Sequence, residues 1–274
     1  MILVSSRVPP LDRFGEARLK IERAQGQFAA LRDAVKSWAQ LGKAYEIVPE
    51  IDFKTREKVL RFIILSDPPP TWGMDAADIA NNLRAALNYA IHAVAEPDSD
   101  DIGFPIYRVE TEYRSPRPRA KKPRERLSPL DYYLAGVDER YRTFVDRCQP
   151  YRRGDAADSH PLAKLAVLSN TDKHRRALVT LAVPEVINAE VIPLGPVDLL
   201  KVAFLRPGRP LYHRAELARI TVRPVNREVA VQGRMAVDVT FSQRHIAAPE
   251  IGRIGSYVVK VVDGLAAIQT EAAA

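Results

Sequence analysis

The chain is poor in the residues that most often announce a chemistry: it has a single cysteine, Cys148, and five histidines in 274 residues. One cysteine cannot close an intrachain disulfide and, with no second cysteine near it, gives little basis for a zinc site. Stability must come from a packed core, and the composition fits a reducing compartment. No run of about 18 apolar residues occurs, and Met1-Ile2-Leu3-Val4 is too short for a signal-peptide core. These two absences predict a cytoplasmic protein with no membrane partner. Glycine-rich phosphate loops, paired-histidine zinc motifs and nucleophile elbows are also missing, so neither a cofactor nor a metal is expected.

What is present is an ordinary globular balance, 46% hydrophobic and 27% charged, in a chain long enough for one large domain or two small ones. The formal net charge of +7 is not spread evenly. Between Arg114 and Arg126 seven basic residues face one acid, Glu125, so this segment alone carries +6. Pro116, Pro118 and Pro123 interrupt it, which predicts an extended basic arm that contacts RNA or another polyanion through Arg117, Arg119, Lys121 and Lys122.

Apolar spacing predicts helices over 11–41, 75–95 with Asp75 as cap, 128–148 starting at Ser128 or Asp131, 161–175 and 249–268. Short alternating segments at 45–53 and 58–65 read as a β-hairpin (about 43–65), and five β-branched segments between 177 and 241 read as successive antiparallel strands. The expected fold class is α+β: a helical bundle with an N-terminal β-hairpin, followed by an antiparallel β-meander and a C-terminal helix. The helical region would cover 1–176 and the β-rich region 177–274, the two allowing one continuous domain. No strand-helix alternation suggests a parallel nucleotide-binding sheet.

Two polar clusters fall on predicted helices. Arg84, Asn88 and His92 recur at four-residue steps beside the apolar stripe Ile79, Leu83, Leu87, Ala90, Ile91 and Val94, so a cation, an amide and an imidazole share one ridge. Such a row can hold a phosphate or carboxylate; equally, it can be a structural seam in which Asn88 bonds to backbone. The second cluster is Asp172, Lys173, His174 and Arg175. Cations in a last helical turn complement the helix dipole without any function, whereas Asp172 is an acid at the wrong end and would be explained by a salt bridge to Arg84.

The phrases Asn82-Leu83-Arg84-Ala85-Ala86-Leu87-Asn88-Tyr89, Phe104-Pro105-Ile106, Gln149-Pro150-Tyr151, His160-Pro161-Leu162 and Asn170-Thr171-Asp172-Lys173-His174-Arg175 resemble, in this order, a widespread group of bacterial proteins. That resemblance covers roughly 75–176, implies a helical core, and brings no established activity. The group's first phrase often carries histidine where this chain has Tyr89. An arginine followed along a helix by polar residues and histidine is also similar to HEPN domains, many of them metal-independent ribonucleases. There, arginine steadies the scissile phosphate and histidine, four to six residues on, moves protons. Here seven residues separate Arg84 from His92, and the alternative gaps at Arg153 to His160 and Arg206 to His213 contain glycine or proline.

The leading expectation is a nucleic-acid-associated protein, a divergent HEPN-like RNase, with Arg84, His92, Asp172 and His174 as catalytic residues and Asn88, Lys173 and Arg175 beside them for binding. One rival is a small-molecule enzyme or binder that takes a carboxylate or phosphate at the same residues. The other is a non-catalytic assembly module that forms a homo-oligomer.

Overall fold

The computed structural model describes residues 12–40, 44–96, 101–118, 126–174, 179–182, 188–206, 209–224, 228–234, 238–241 and 246–273. Its helices are α1 (Gly15–Gln40), α2 (Thr71–His92), α3 (Glu110–Arg114), α4 (Pro129–Tyr133), α5 (Glu139–Arg147), α6 (Pro161–His174) and α7 (Ala248–Ala273). The strands are β1 (Tyr45–Asp52), β2 (Glu57–Ile64), β3 (Arg117–Pro118), β4 (Arg126–Leu127), β5 (Val179–Ala182), β6 (Asn188–Pro193), β7 (Leu199–Phe204), β8 (Pro210–Leu211), β9 (Ala215–Arg223), β10 (Val229–Arg234), β11 (Asp238–Phe241) and β12 (Ile246–Ala247). A 3-10 segment, Pro150–Ser159, leads into α6. Mixed helix and antiparallel sheet is thus the architecture, and no helix among the described residues is long and apolar enough to cross a membrane.

The hairpin is present with its predicted strands, but the first described element is a helix, α1, so the hairpin is not N-terminal. Its sheet partners lie far along the chain. β2 pairs antiparallel with β9, and β9 with β7, giving the sheet order β1-β2-β9-β7. The remaining strands do not form a simple meander. β7 pairs β9, β6 pairs β10 and β5 pairs β11, so the chain runs out and returns alongside itself in nested pairs. Alternation marks a strand and its buried face, but it does not name the partner, and several pairings satisfy the same pattern.

The chain divides into two compact units that interleave along the sequence. One comprises 1–28, 77–173 and 252–274; the other comprises 29–76 and 174–251. The chain passes from one unit to the other within α1, α2, α6 and α7. In the first unit the core includes Leu83, Leu87, Ile91, Phe104, Leu134, Val145, Leu162 and Leu165; in the second, Leu60, Phe62, Ile220, Val222 and Phe241.

Three boundaries differ from the sequence expectation. α2 begins at Thr71, so Asp75 lies inside the helix and is exposed rather than capping it; the turn at Pro69 and Pro70 accepts the N–H groups of Trp72 and Gly73 instead. The helix expected over 128–148 breaks into α4 and α5 at Gly136, whose φ of 71° is the left-handed region that glycine adopts without strain. Each piece has its own cap: Ser128 Oγ accepts the Asp131 N–H, and Asp138 Oδ1 accepts the Arg140 N–H. Finally, Arg114 ends the short helix α3 and is ion-paired with Glu110 and Asp146, so it is no part of an extended arm. Beyond it, β3 and β4 pair as two-residue strands at the base of the basic segment.

Candidate functional site

The sequence places Arg84 and Asn88 one turn apart on α2, and the structure gives them different work. Asn88 Oδ1 accepts the Phe104 backbone N–H at 3.1 Å. Gly103, next to that bond, allows the approach, because a Cβ there would lie 3.1 Å from Asn88 Oδ1. Asn88 therefore anchors the strap 102–107 and has its acceptor occupied, as in the structural reading of this position.

The rest of that strap is fastened residue by residue. Gly103 N–H donates to the Tyr133 carbonyl at 3.0 Å, which brings the end of α4 to the same place. Gln149, fully buried, donates through Nε2 to the carbonyls of Pro105 at 2.9 Å and Val145 at 3.1 Å, and its Oε1 accepts the Tyr107 N–H at 3.0 Å. Tyr107's carbonyl accepts the Tyr151 N–H. A proline-containing strap has few donors to offer a ladder, so a side-chain amide supplies the partners that a strand would have supplied. The consequence is positional: the Tyr107 ring is fixed, stacked on Tyr113 at 5.3 Å, and Tyr113 in turn lies 5.9 Å from Tyr151.

Tyr107 and Tyr133 are the groups within electrostatic reach of Arg84. Burial lowers the Arg84 pKa from the ordinary arginine value, and the two phenols act in the opposite direction. The residue keeps some exposure, yet its Nη1 is sealed from solvent and has no hydrogen-bond partner. Among the described residues no carboxylate faces it, and neither the Tyr107 nor the Tyr133 hydroxyl has a hydrogen bond. An arginine cannot escape burial by losing its proton, so the Arg84 guanidinium keeps its charge here with one nitrogen unpaired.

Arg117, a described cation of the basic segment, acts on the same tyrosine. Its Nη2 donates to the Glu112 carbonyl at 2.8 Å, and its charge, like that of Arg84, favours the ionised form of Tyr107. Burial dominates, however, and holds the Tyr107 phenol above its ordinary range. Arg114 is used elsewhere, in a cluster where Asp146 takes Arg114, Arg152 and the Tyr151 hydroxyl together.

His92 does not join Arg84 in one lining. It borders an open groove of about 420 Å³ with Asp12, Arg13, Glu16, Tyr89 and Ala93. Asp12 is paired there with Arg18, and Arg13 with Glu96. No group of three potential metal ligands occurs among the described residues. Asp172, Lys173 and His174 lie in the last turn of α6 with their side chains outside the described residues, so the expected Asp172 to Arg84 bridge lies outside them too. Arg119, Lys121, Lys122 and Arg175 fall entirely outside the described residues.

His160, the first residue of the phrase His160-Pro161-Leu162, is a buried structural residue. Its Nδ1 accepts the Leu162 N–H at 3.1 Å and its ring meets Tyr257 edge-on at 4.9 Å. In the other unit, Arg219 gathers Asp52, Glu57 and Glu216, a tie between β1, β2 and β9. Sequence reasoning missed Tyr107, Tyr133 and Gln149 as site-building residues. The available signal lay in the phrases around Phe104 and Gln149, which prove to be the two halves of one clamp. No family model, no curated protein and no solved structure matches this chain.

Proposed function

We propose that this chain is a nucleic-acid-associated protein that takes phosphate groups of RNA at Arg84, with Tyr107 and Tyr133 beside it and the basic segment 114–126 gathering the polyanion. The observation that carries the reading is the Arg84 guanidinium, with one N–H sealed from solvent and no partner among the described residues. Burying a cation costs several kcal/mol unless an opposite charge meets it, and a phosphate oxygen meets both the charge and the hydrogen-bond need. Arg117 supports the same reading, since it links the basic segment to Tyr107.

Binding is favoured here over cleavage. In a HEPN-like reaction arginine and histidine act on one phosphate, whereas Arg84 and His92 stand about 12 Å apart along the helix axis by rise alone. The groove bordered by His92 does not include Arg84. A proton-transfer role would therefore rest on His174.

The test is a gel-shift titration of a mixed RNA at several salt concentrations, with EDTA present. Wild type should bind with a steep salt dependence. Replacing Arg117, Arg119, Lys121 and Lys122 by alanine should weaken binding to all sequences and flatten the slope, because fewer counterions are released. No binding by wild type at about 100 mM salt would remove the proposal, since sequence-independent contacts still act there.

A further inference from the structure

β7 is an edge strand of the sheet β1-β2-β9-β7, and no described strand lies on its outer side. Leu205 N–H donates to the Leu217 carbonyl at 2.7 Å, in register with the β9 pairing, so by alternation the backbone groups of Leu200, Val202 and Phe204 face the open edge. Asp198 turns its N–H back to the Arg223 carbonyl, which closes the edge at that end. The side chains of Leu200, Val202 and Phe204 share one face, where they continue the row Val222, Ile220 and Ala218 of β9, residues at most 1% exposed. On β7 the cover ends: Leu200 and Phe204 are each 37% exposed. A row of apolar side chains beside unused backbone groups is a template for one more strand. The sheet's other edge, β1, is interrupted by Pro49, which has no N–H to give.

The residues around β7 say which strand fits. Asp198 and Arg206 lie equally far from Val202, both are exposed, and neither has an ion pair among the described residues. Laid antiparallel on a copy of itself and centred on Val202, β7 sets Val202 opposite Val202, Leu200 opposite Phe204 and Asp198 beside Arg206, the last two contacts occurring twice by symmetry. Residues that face the open edge then meet residues that face it too. A register centred on Lys201 would oppose the two lysines directly, and one centred on Ala203 would set Arg206 against Leu200. Charge and hydrogen bonding select the same alignment.

We propose that the chain self-associates as a two-fold dimer through β7, the two four-stranded sheets becoming continuous across Val202. An edge of this length makes a small interface, so association in the micromolar range is expected.

Sedimentation velocity of the full chain without RNA, from about 1 to about 200 µM, should show a monomer of 30.6 kDa giving way to a dimer. Val202→Pro removes an outward N–H, spares the ladder to β9, and should keep the protein monomeric throughout. Asp198→Arg or Arg206→Asp should each raise the dissociation constant about tenfold, by exchanging two attractions for two repulsions. An equimolar mixture of those two variants should regain wild-type association, because each end then meets the opposite charge. Both substitutions are at exposed positions, so they decide the matter even where Val202→Pro disturbs the fold by circular dichroism. A wild type still monomeric at about 200 µM would overturn the proposal. So would a dimer unchanged by a folded Val202→Pro, which would lie on another face, or a mixture no tighter than its components, which would have another register. With no RNA present, the result is independent of the phosphate reading at Arg84.

Discussion

The Asn88 amide and the Phe104 backbone N–H are joined by a hydrogen bond of 3.1 Å, and this bond holds the strap 102–107 against the C-terminal end of α2. Asn88→Ala removes the acceptor and leaves a buried N–H without one, at a cost of about 1–3 kcal/mol. The midpoint of urea unfolding should fall accordingly with its slope unchanged. Gly103→Ala should do similar damage by pushing on the Asn88 oxygen from the other side. An Asn88→Ala protein with wild-type stability would show that the strap is held by its apolar contacts alone.

Gln149 ties the second half of the same strap, at Pro105 and Tyr107, and also reaches the Val145 carbonyl, so one buried amide makes three hydrogen bonds. Gln149→Ala strands the Tyr107 N–H and the Pro105 carbonyl at once, while the Val145 carbonyl keeps the Cys148 N–H, so a loss of at least about 2 kcal/mol is expected. Gln149→Glu separates geometry from charge. It keeps the acceptor for Tyr107 but presents an oxygen to the carbonyls of Pro105 and Val145, so it should be no better tolerated than alanine near neutral pH. Thermal unfolding of the two variants checks this, and a near-neutral Glu would mean that the amide is assigned the wrong way round.

Much of the fold was legible because it is written in periods. The stripe from Ile79 to Val94 is buried as its 3.6-residue spacing predicts, and the hairpin strands fall within a residue of their expected ends. What was not legible depends on partners distant in sequence. Nothing in residues 57–64 says that β2 will pair with β9, since β2 offers the same alternating edge to any strand. The candidate site was half legible for the same reason. Arg84 stood out as a cation beside an apolar stripe, but the tyrosines that surround it arrive on a strap and a short helix, where no period marks them. Asn88 and His92 share its ridge by spacing; a donor on the strap claims the first, and a different groove holds the second.

Two glycines in long helices should respond in opposite ways to alanine. A Cβ on Gly264 of α7 would overlap the Phe144 ring from α5, whereas one on Gly26 of α1 meets nothing within 4 Å. Gly26→Ala should stabilise by about 0.5–1 kcal/mol through the lower entropy of the unfolded chain. Gly264→Ala should destabilise by about 1–3 kcal/mol, because the ring must leave its place. The double variant Gly264→Ala, Phe144→Leu should recover part of that loss. A stabilised Gly264→Ala would show that Phe144 swings aside freely.

His160 provides a pH-dependent term of known sign. Burial, with Arg153 nearby, depresses its pKa from the usual 6.5 to about 4. Geometry agrees, because Nδ1 accepts the Leu162 N–H ahead of α6 and cannot carry a proton while doing so. Above about pH 6.5 the imidazole is neutral whether the chain is folded or not, and contributes no slope. Below it, the unfolded chain takes up a proton that the folded chain refuses, so stability falls as pH drops from 6.5 towards 4, by up to about 1.4 kcal/mol per unit. Below about 4 both states are protonated and the contribution levels off. His160→Asn isolates this behaviour, since a short amide at the position before Pro161 can still accept the Leu162 N–H but does not titrate. Carboxylates titrate in the same window in both proteins and cancel in the difference. Urea midpoints of wild type and His160→Asn should therefore draw together as pH falls from 6.5 to 4 where the ring is the better cap at neutral pH, or separate in favour of the variant over that range where the amide caps as well as the ring does. A constant difference between pH 7 and pH 4 would mean that the imidazole ionises in place and that its burial does not hold it neutral.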